Sequence, residues 1–161
     1  MTNQIKIGPI STEEEIHNCT MIMVGSDPWK TLNLGYDDLI KMFRDNMNEV
    51  YIAKLNDTVL GFIVLYMHGT FRGYIKCLAV SEASRGTGVG KRLIEFAEER
   101  IFKAVPNVFI CVSSFNAKAQ EFYKKLGYKK VGELDNFIVN GYSELLLRKT
   151  LGPLKGYKPV T

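Results

Sequence analysis

The chain has 161 residues, 46% apolar and 24% charged, with a net charge of +4. That is the size of one domain able to bury about 70% of its unfolded surface without disulfides or metals. Its basic residues are dispersed with no long run, which argues against nucleic acid as a partner, and no apolar stretch is long enough to span a membrane. Cys19, Cys77 and Cys111 are widely separated and set among apolar neighbours, so neither a disulfide framework nor a zinc site is expected and no metal is assigned. No secretory pattern opens the chain, and the expected location is the reducing cytoplasm.

Ile5 to Ile10 alternates as a strand and runs into Ser11-Thr12, which with Glu14 and Glu15 forms a helix start. The helix carries Ile16, Cys19, Met21, Ile22 and Met23 and ends near Gly25. Trp29, the only tryptophan, follows on a turn, where it reads either as a plug between helices or as a lid over a pocket. Asp37 to Met47 reads as a second helix. Val50–Leu55 and Thr58–Tyr66 form a hairpin about Asn56-Asp57, apolar enough to be covered on both faces.

Tyr74–Val80 is a buried strand, Arg85-Gly86-Thr87-Gly88-Val89-Gly90 a glycine-rich turn, and the stretch to Phe102 an amphipathic helix. Its Val89, Leu93, Ile94, Ala97 and Ile101 share one side. Glycines let the backbone take positive φ or approach a ligand, and a helix that starts at such a turn presents unpaired N–H groups to an anion. A Walker A loop is excluded, because Arg85 stands where its first glycine belongs and Arg92 where its Ser or Thr belongs. A dinucleotide loop needs G-x-G-x-x-G after the first strand, and here the spacing is G-x-G-x-G in mid-chain.

Asn107–Val112 is a buried strand expected to lie parallel to Tyr74–Val80, because a helix joins the two. Asn116 to Tyr128 is a short helix with Asn116 as N-cap and Gly127 as its stop. Lys129 to Leu151 reads as a closing hairpin about a type I′ turn at Asn140-Gly141, and residues 152–161 as an irregular tail. One domain, 1–161, accounts for the chain.

Two of these stretches carry a family resemblance. Arg85-x-x-Gly88-x-Gly90, with Leu78-Ala79-Val80 upstream, resembles the pyrophosphate loop of the GNAT N-acetyltransferase superfamily. Asn116, Ala119, Tyr123, Gly127 and Tyr128 match its second signature. The order of elements is similar along nearly the whole chain, and among members the style is closest to small bacterial and archaeal acetyltransferases of protein N-termini. The resemblance implies an α/β fold (α+β in some schemes) with a mixed sheet of about six to seven strands, splayed parallel strands in its middle, and flanking helices.

It further implies acetyl-CoA as co-substrate and direct transfer to an amine in a ternary complex, without an acetyl-enzyme. Arg85, Gly86, Thr87, Gly88, Val89, Gly90 and Lys91 would hold the pyrophosphate. Leu78, Ala79 and Val80 would pair with the pantetheine arm and offer an N–H to the charge developing on the acetyl oxygen, with Asn116 also at the cofactor. Tyr123 would protonate the departing thiolate, since a phenol can donate at neutral pH; without the motif it reads as a core tyrosine.

Many relatives place a Glu base on a splayed strand, where this chain has Tyr74 and Cys111. Tyr74 ordering a water chain, Glu144 and His68 are the alternatives, His68 also reading as a solvated strand-end residue. Cys111 as an acetyl carrier is disfavoured, because a buried thiol is inert. The acceptor is a small amine or a protein N-terminus, met by Gly25–Tyr36 and Asp135–Tyr142, and the protein a monomer or homodimer. A non-catalytic acyl-CoA-binding or partner-binding domain of the same fold is the alternative function.

Overall fold

The computed structural model describes residues 4–160. Strand β1 (Lys6–Pro9) leads into helix α1 (Glu13–Val24), which starts with a capping box. Thr12 Oγ1 accepts from the Glu15 amide at 3.1 Å, and Glu15 Oε2 accepts from the Thr12 amide at 3.2 Å, so two orphan donors are satisfied at once. Trp29 packs against the cluster under α1, as a plug.

The helix expected over 37–47 is instead two short pieces, α2 (Tyr36–Leu39) and α3 (Lys41–Arg44). It stops early because Asp45 turns the chain: its Oδ1 accepts from the Met47 amide at 2.9 Å and its carbonyl from the Asn48 amide at 3.0 Å. A short polar side chain that satisfies nearby amides offers the backbone an alternative to the helix.

Strands β2 (Asn48–Leu55) and β3 (Thr58–Tyr66) form the expected hairpin, with Asn56 at φ 54° in the turn. Strand β4 (Tyr74–Val80), a 3-10 turn (Glu82–Ser84), helix α4 (Val89–Phe102), strand β5 (Asn107–Ser113) and helix α5 (Ala117–Lys125) follow. The chain closes with β6 (Lys129–Asp135) and β7 (Ser143–Thr150).

The tight Asn140-Gly141 turn does not form. The link is the longer loop 136–142, in which Asn136 (φ 54°) and Gly141 (φ 94°) have positive φ and Asn140 does not. Asn136 closes it, its Oδ1 accepting from the Gly141 amide at 2.7 Å and its own amide bonding the Tyr142 carbonyl at 2.9 Å.

The sheet has seven strands in the order β1-β2-β3-β4-β5-β7-β6. Every neighbouring pair is antiparallel except β4 and β5. Helix α4 buries Leu93, Ile94, Ala97 and Ile101 against Ile63, Leu65, Ile75, Val108 and Ile110 on one face. On the other, Cys19 and Met23 of α1 meet Ile52, Phe62, Val64, Cys77 and Ala79. Coverage on both faces is why β3 is apolar at successive positions. No helix among the described residues is long and apolar enough to cross a membrane.

Gly73 sets the start of the parallel pair. Its φ is 89°, its carbonyl accepts from the Phe109 amide at 3.0 Å, and a Cβ there would collide with the Asn107 carbonyl oxygen and lie 2.9 Å from Ile101 Cγ2. Left-handed backbone costs a non-glycine residue about 1–2 kcal/mol, and overpacking about 1–3 more. Gly73→Ala should therefore lose about 3 kcal/mol in urea denaturation; an unchanged midpoint would show that the β4/β5 junction tolerates a side chain.

Candidate active site

Between β4 and β5 the sheet opens. Their parallel register consists of Tyr74 with Phe109 and Ile75 with Ile110, and goes no further. Each strand stays paired on its outer side, β4 with β3 as far as Val80 opposite Gly61, and β5 with β7 as far as Ser113 opposite Glu144. The β3/β4 ladder shifts register between Val64 and Leu65, so that Lys76 is the extra residue of a bulge. A bulge bends the strand that carries it, here where β4 leaves β5, and the inner backbone edge of Lys76–Val80 is open to an extended, amide-bearing ligand.

At the end of β4 the glycine turn enters α4. Gly86 and Gly88 have φ of 74° and 87°, and Gly88 is the N-cap without any side-chain cap. Apart from the adjoining residues, no atom lies within 4 Å of the place a side chain's first carbon would take at either glycine, so the turn is open at the start of α4. A pyrophosphate fits such a site by shape and by dipole. Thr87 braces the turn, its Oγ1 donating to the Ser84 carbonyl at 2.6 Å. Gly90 packs under it, where a Cβ would lie 3.5 Å from Phe122 Cζ and 3.5 Å from Val80 Cγ2.

Three cations surround the turn, each with a protein partner. Arg85 donates from Nη2 to Ser26 Oγ at 2.8 Å and from Nε to the Val80 carbonyl at 3.4 Å, tying the loop to the end of α1. Lys91 pairs with Glu95 at 3.6 Å across an exposed helix turn, and Arg92 reaches the Ile5 carbonyl at 3.1 Å. Arg85 is thus held at the turn by two protein contacts.

Tyr123, on α5, is only 5% exposed, its ring edge-on to Phe122 and Tyr128 at 5.1 and 5.5 Å. Burial, with the nearby Cys77 thiol of β4, pushes its phenol well above the ordinary tyrosine range, so it is protonated throughout the neutral range. Its hydroxyl makes no hydrogen bond among the described residues, whereas that of Tyr128 donates to Glu98 Oε1 at 3.0 Å. Of the two motif tyrosines, Tyr128 is anchored and the Tyr123 hydroxyl is unpartnered among the described residues.

Asn116 caps α5, its Oδ1 accepting from the Ala119 amide at 3.2 Å, and that atom is engaged within the protein. Gln120 donates to the Ser113 and Ser114 carbonyls at 3.3 and 3.0 Å, fixing α5 on the end of β5.

The sheet's opposite face carries a second polar group. Tyr74 lies beside Cys111, with Glu144 near; burial first, then these neighbours, raise its phenol. Cys111 is half-buried, not buried as expected; burial raises its thiol, partly offset by the hydrogen bond from Tyr74. Glu144 is 3% exposed and accepts from Ser113 Oγ at 2.6 Å; burial lifts its carboxyl above the usual range, partly offset by that bond. His68 is exposed beyond the end of β3, edge-on to Tyr66 at 5.5 Å, as a solvated histidine would be. Sequence reasoning did not find Ser113, and no local signal marks it. Among the described residues no acidic, His and Cys groups gather as a metal site.

The family model described as the acetyltransferase (GNAT) family matches residues 13–128. An uncharacterized N-acetyltransferase of Methanocaldococcus jannaschii is 30% identical over 111 residues, 68% of this chain and 70% of that protein. An N-alpha-acetyltransferase of Sulfurisphaera tokodaii is 26% identical over 133 residues, 74% of this chain and 79% of that one. In three dimensions the chain is similar to an aminoglycoside 6′-N-acetyltransferase solved with coenzyme A. The TM-score is 0.73 at 17% identity, over 92% of this chain and 98% of the other.

Proposed function

This chain belongs to the acetyltransferase (GNAT) family, and from that premise we propose that it moves an acetyl group from acetyl-CoA to a primary amine by direct attack in a ternary complex. The observation that carries the reading is the gap between β4 and β5, with the open glycine turn of Gly86 and Gly88 at the end of β4; the unpartnered hydroxyl of Tyr123, near Cys77 of β4, supports it. Acetyl-CoA supplies the activated acetyl thioester. The amides of Gly86 to Gly90 hold its pyrophosphate, with Arg85, Thr87 and Lys91 shaping and charging the rim.

The open edge of Leu78-Ala79-Val80 pairs with the amides of the pantetheine arm, and an N–H of that edge meets the charge that develops on the acetyl oxygen. Tyr123 gives its proton to the departing sulfur. The amine approaches from the face of Tyr74, Cys111 and Glu144. Protein N-termini and small amines are both acceptors of the right chemistry, and the similarity to an N-alpha-acetyltransferase favours the first.

The test is calorimetry with acetyl-CoA at low salt, followed by a mass-spectrometric screen of amines and N-terminal peptides with thiol release measured in parallel. Binding together with acceptor-dependent thiol release is the expected result. No binding by the folded protein would overturn the reading, and binding with no release across the panel would leave a non-catalytic acyl-CoA-binding domain.

A further inference from the structure

Neither β4 nor β5 carries a carboxylate at the gap, where the side chains on this face are Tyr74 and Cys111. A carboxylate nevertheless reaches this part of the sheet from the next strand. Ser113 pairs in register with Glu144 on β7 and Cys111 with Leu146, so that Cys111, Ser113 and Glu144 share one face of the sheet with Tyr74. Resting on the acetyl-transfer reading above, we propose that Glu144 is the terminal proton acceptor for the attacking amine, reached by water along the face it shares with Tyr74 and Cys111.

The surroundings of Glu144 suit a proton acceptor better than a structural ion pair. It is buried with no cation beside it among the described residues, and burial without a paired charge favours the neutral carboxyl, the form that proton acceptance produces. One oxygen, Oε1, is held by Ser113; Oε2 has no hydrogen-bond partner among the described residues. From β4 it is faced by Tyr74 and from β5 by Cys111 and Ser113. On β6, Leu134 is its register partner, while the flanking acids are engaged elsewhere, Asp135 by Ser143 Oγ at 3.1 Å and Glu133 by Lys130 at 2.6 Å. From α5 the near group is the neutral Gln120 amide, bonded to the Ser113 carbonyl.

The protons balance. As the amine nitrogen bonds the acetyl carbon, its proton passes to a water at the Tyr74 hydroxyl, and a proton of that water passes to Glu144 Oε2. The carbon–sulfur bond breaks and the sulfur takes the Tyr123 proton. Glu144 then releases its proton to water and Tyr123 regains one, so neither residue is consumed.

A carboxyl whose folded-state pKa is raised is proton-free, and able to accept, only above that raised value, so kcat should climb as pH rises through it. The experiment is kcat against pH at saturating acetyl-CoA, using an acceptor whose own pKa lies well away from this limb. Glu144→Gln keeps the shape and the bond from Ser113. It should lower kcat about 10²-fold and flatten the acid limb, with acetyl-CoA affinity unchanged. Ser113→Ala, which removes a donor to the charged carboxylate, should shift the limb to higher pH while retaining activity.

Wild-type kcat with an intact limb in Glu144→Gln would overturn the assignment. Should that variant not fold, an unmoved limb in Ser113→Ala would overturn it equally. An unmodified chain that acetylates no amine would overturn the acetyl-transfer reading and this one with it, a result distinct from either.

Discussion

Tyr123→Phe should bind acetyl-CoA nearly as the unaltered chain does and yet turn over about 10²-fold more slowly or worse, the range expected when a general acid is lost. The change removes one hydroxyl and almost no volume. The ring stays edge-on to Phe122 and Tyr128, and since the hydroxyl bonds nothing else among the described residues, no protein hydrogen bond is broken. Stability should therefore be close to unchanged, which separates this variant from one that fails by misfolding.

The pH profile gives a second reading of the same residue. Burial raises the Tyr123 phenol above its ordinary value, so the donor form is complete at neutral pH and its loss falls only at strongly alkaline pH. Turnover in the Phe variant equal to wild type, measured with chemistry limiting, would remove Tyr123 from the mechanism. It would leave the cofactor cradle standing, because that rests on different residues.

Gly88→Glu should abolish acetyl-CoA binding for the complementary reason. The φ of 87° at this N-cap imposes about 1–2 kcal/mol of left-handed strain on any side chain, but nothing within 4 Å obstructs its first carbon, so the fold should survive. The side chain would project into the space proposed for the pyrophosphate and bring a negative charge with it. Loss of the anion's contacts together with repulsion should cost about 3 kcal/mol or more, at least two orders of magnitude in affinity. Calorimetry measures it directly, with a thermal melt as the control for folding. Unchanged affinity in a folded Gly88→Glu would show that the turn is only a turn.

Both tests address features legible in contiguous residues. The cradle needs glycines at fixed offsets before a helix, and the Asn116 cap and Gly127 stop that delimit α5 are local as well; such chemistry is written in one stretch of chain. Expectations failed where a local signal had a local competitor. Asp45 ended the helix expected to run to Met47, and Asn136 closed a longer loop in place of the Asn140-Gly141 turn. Trp29 was open between plug and lid because an aromatic ring's burial depends on what packs beside it.

By itself the sequence determined the order of the elements, the glycine turn that opens α4, the candidacy of Tyr123 and the resemblance to the family, because periodicity, capping and glycine spacing act over a few neighbouring residues. Only the tertiary structure decided that Arg85 is tied to Ser26, that Tyr128 is anchored to Glu98 while the Tyr123 hydroxyl is unpartnered, and that Glu144 lies against Ser113 beside Cys111 and Tyr74. Those facts depend on the register of β7 against β5 and on the bulge that bends β4 from β5. A strand's period of two places a side chain on a face, but which strand stands beside it, and at what offset, is settled when the whole sheet assembles.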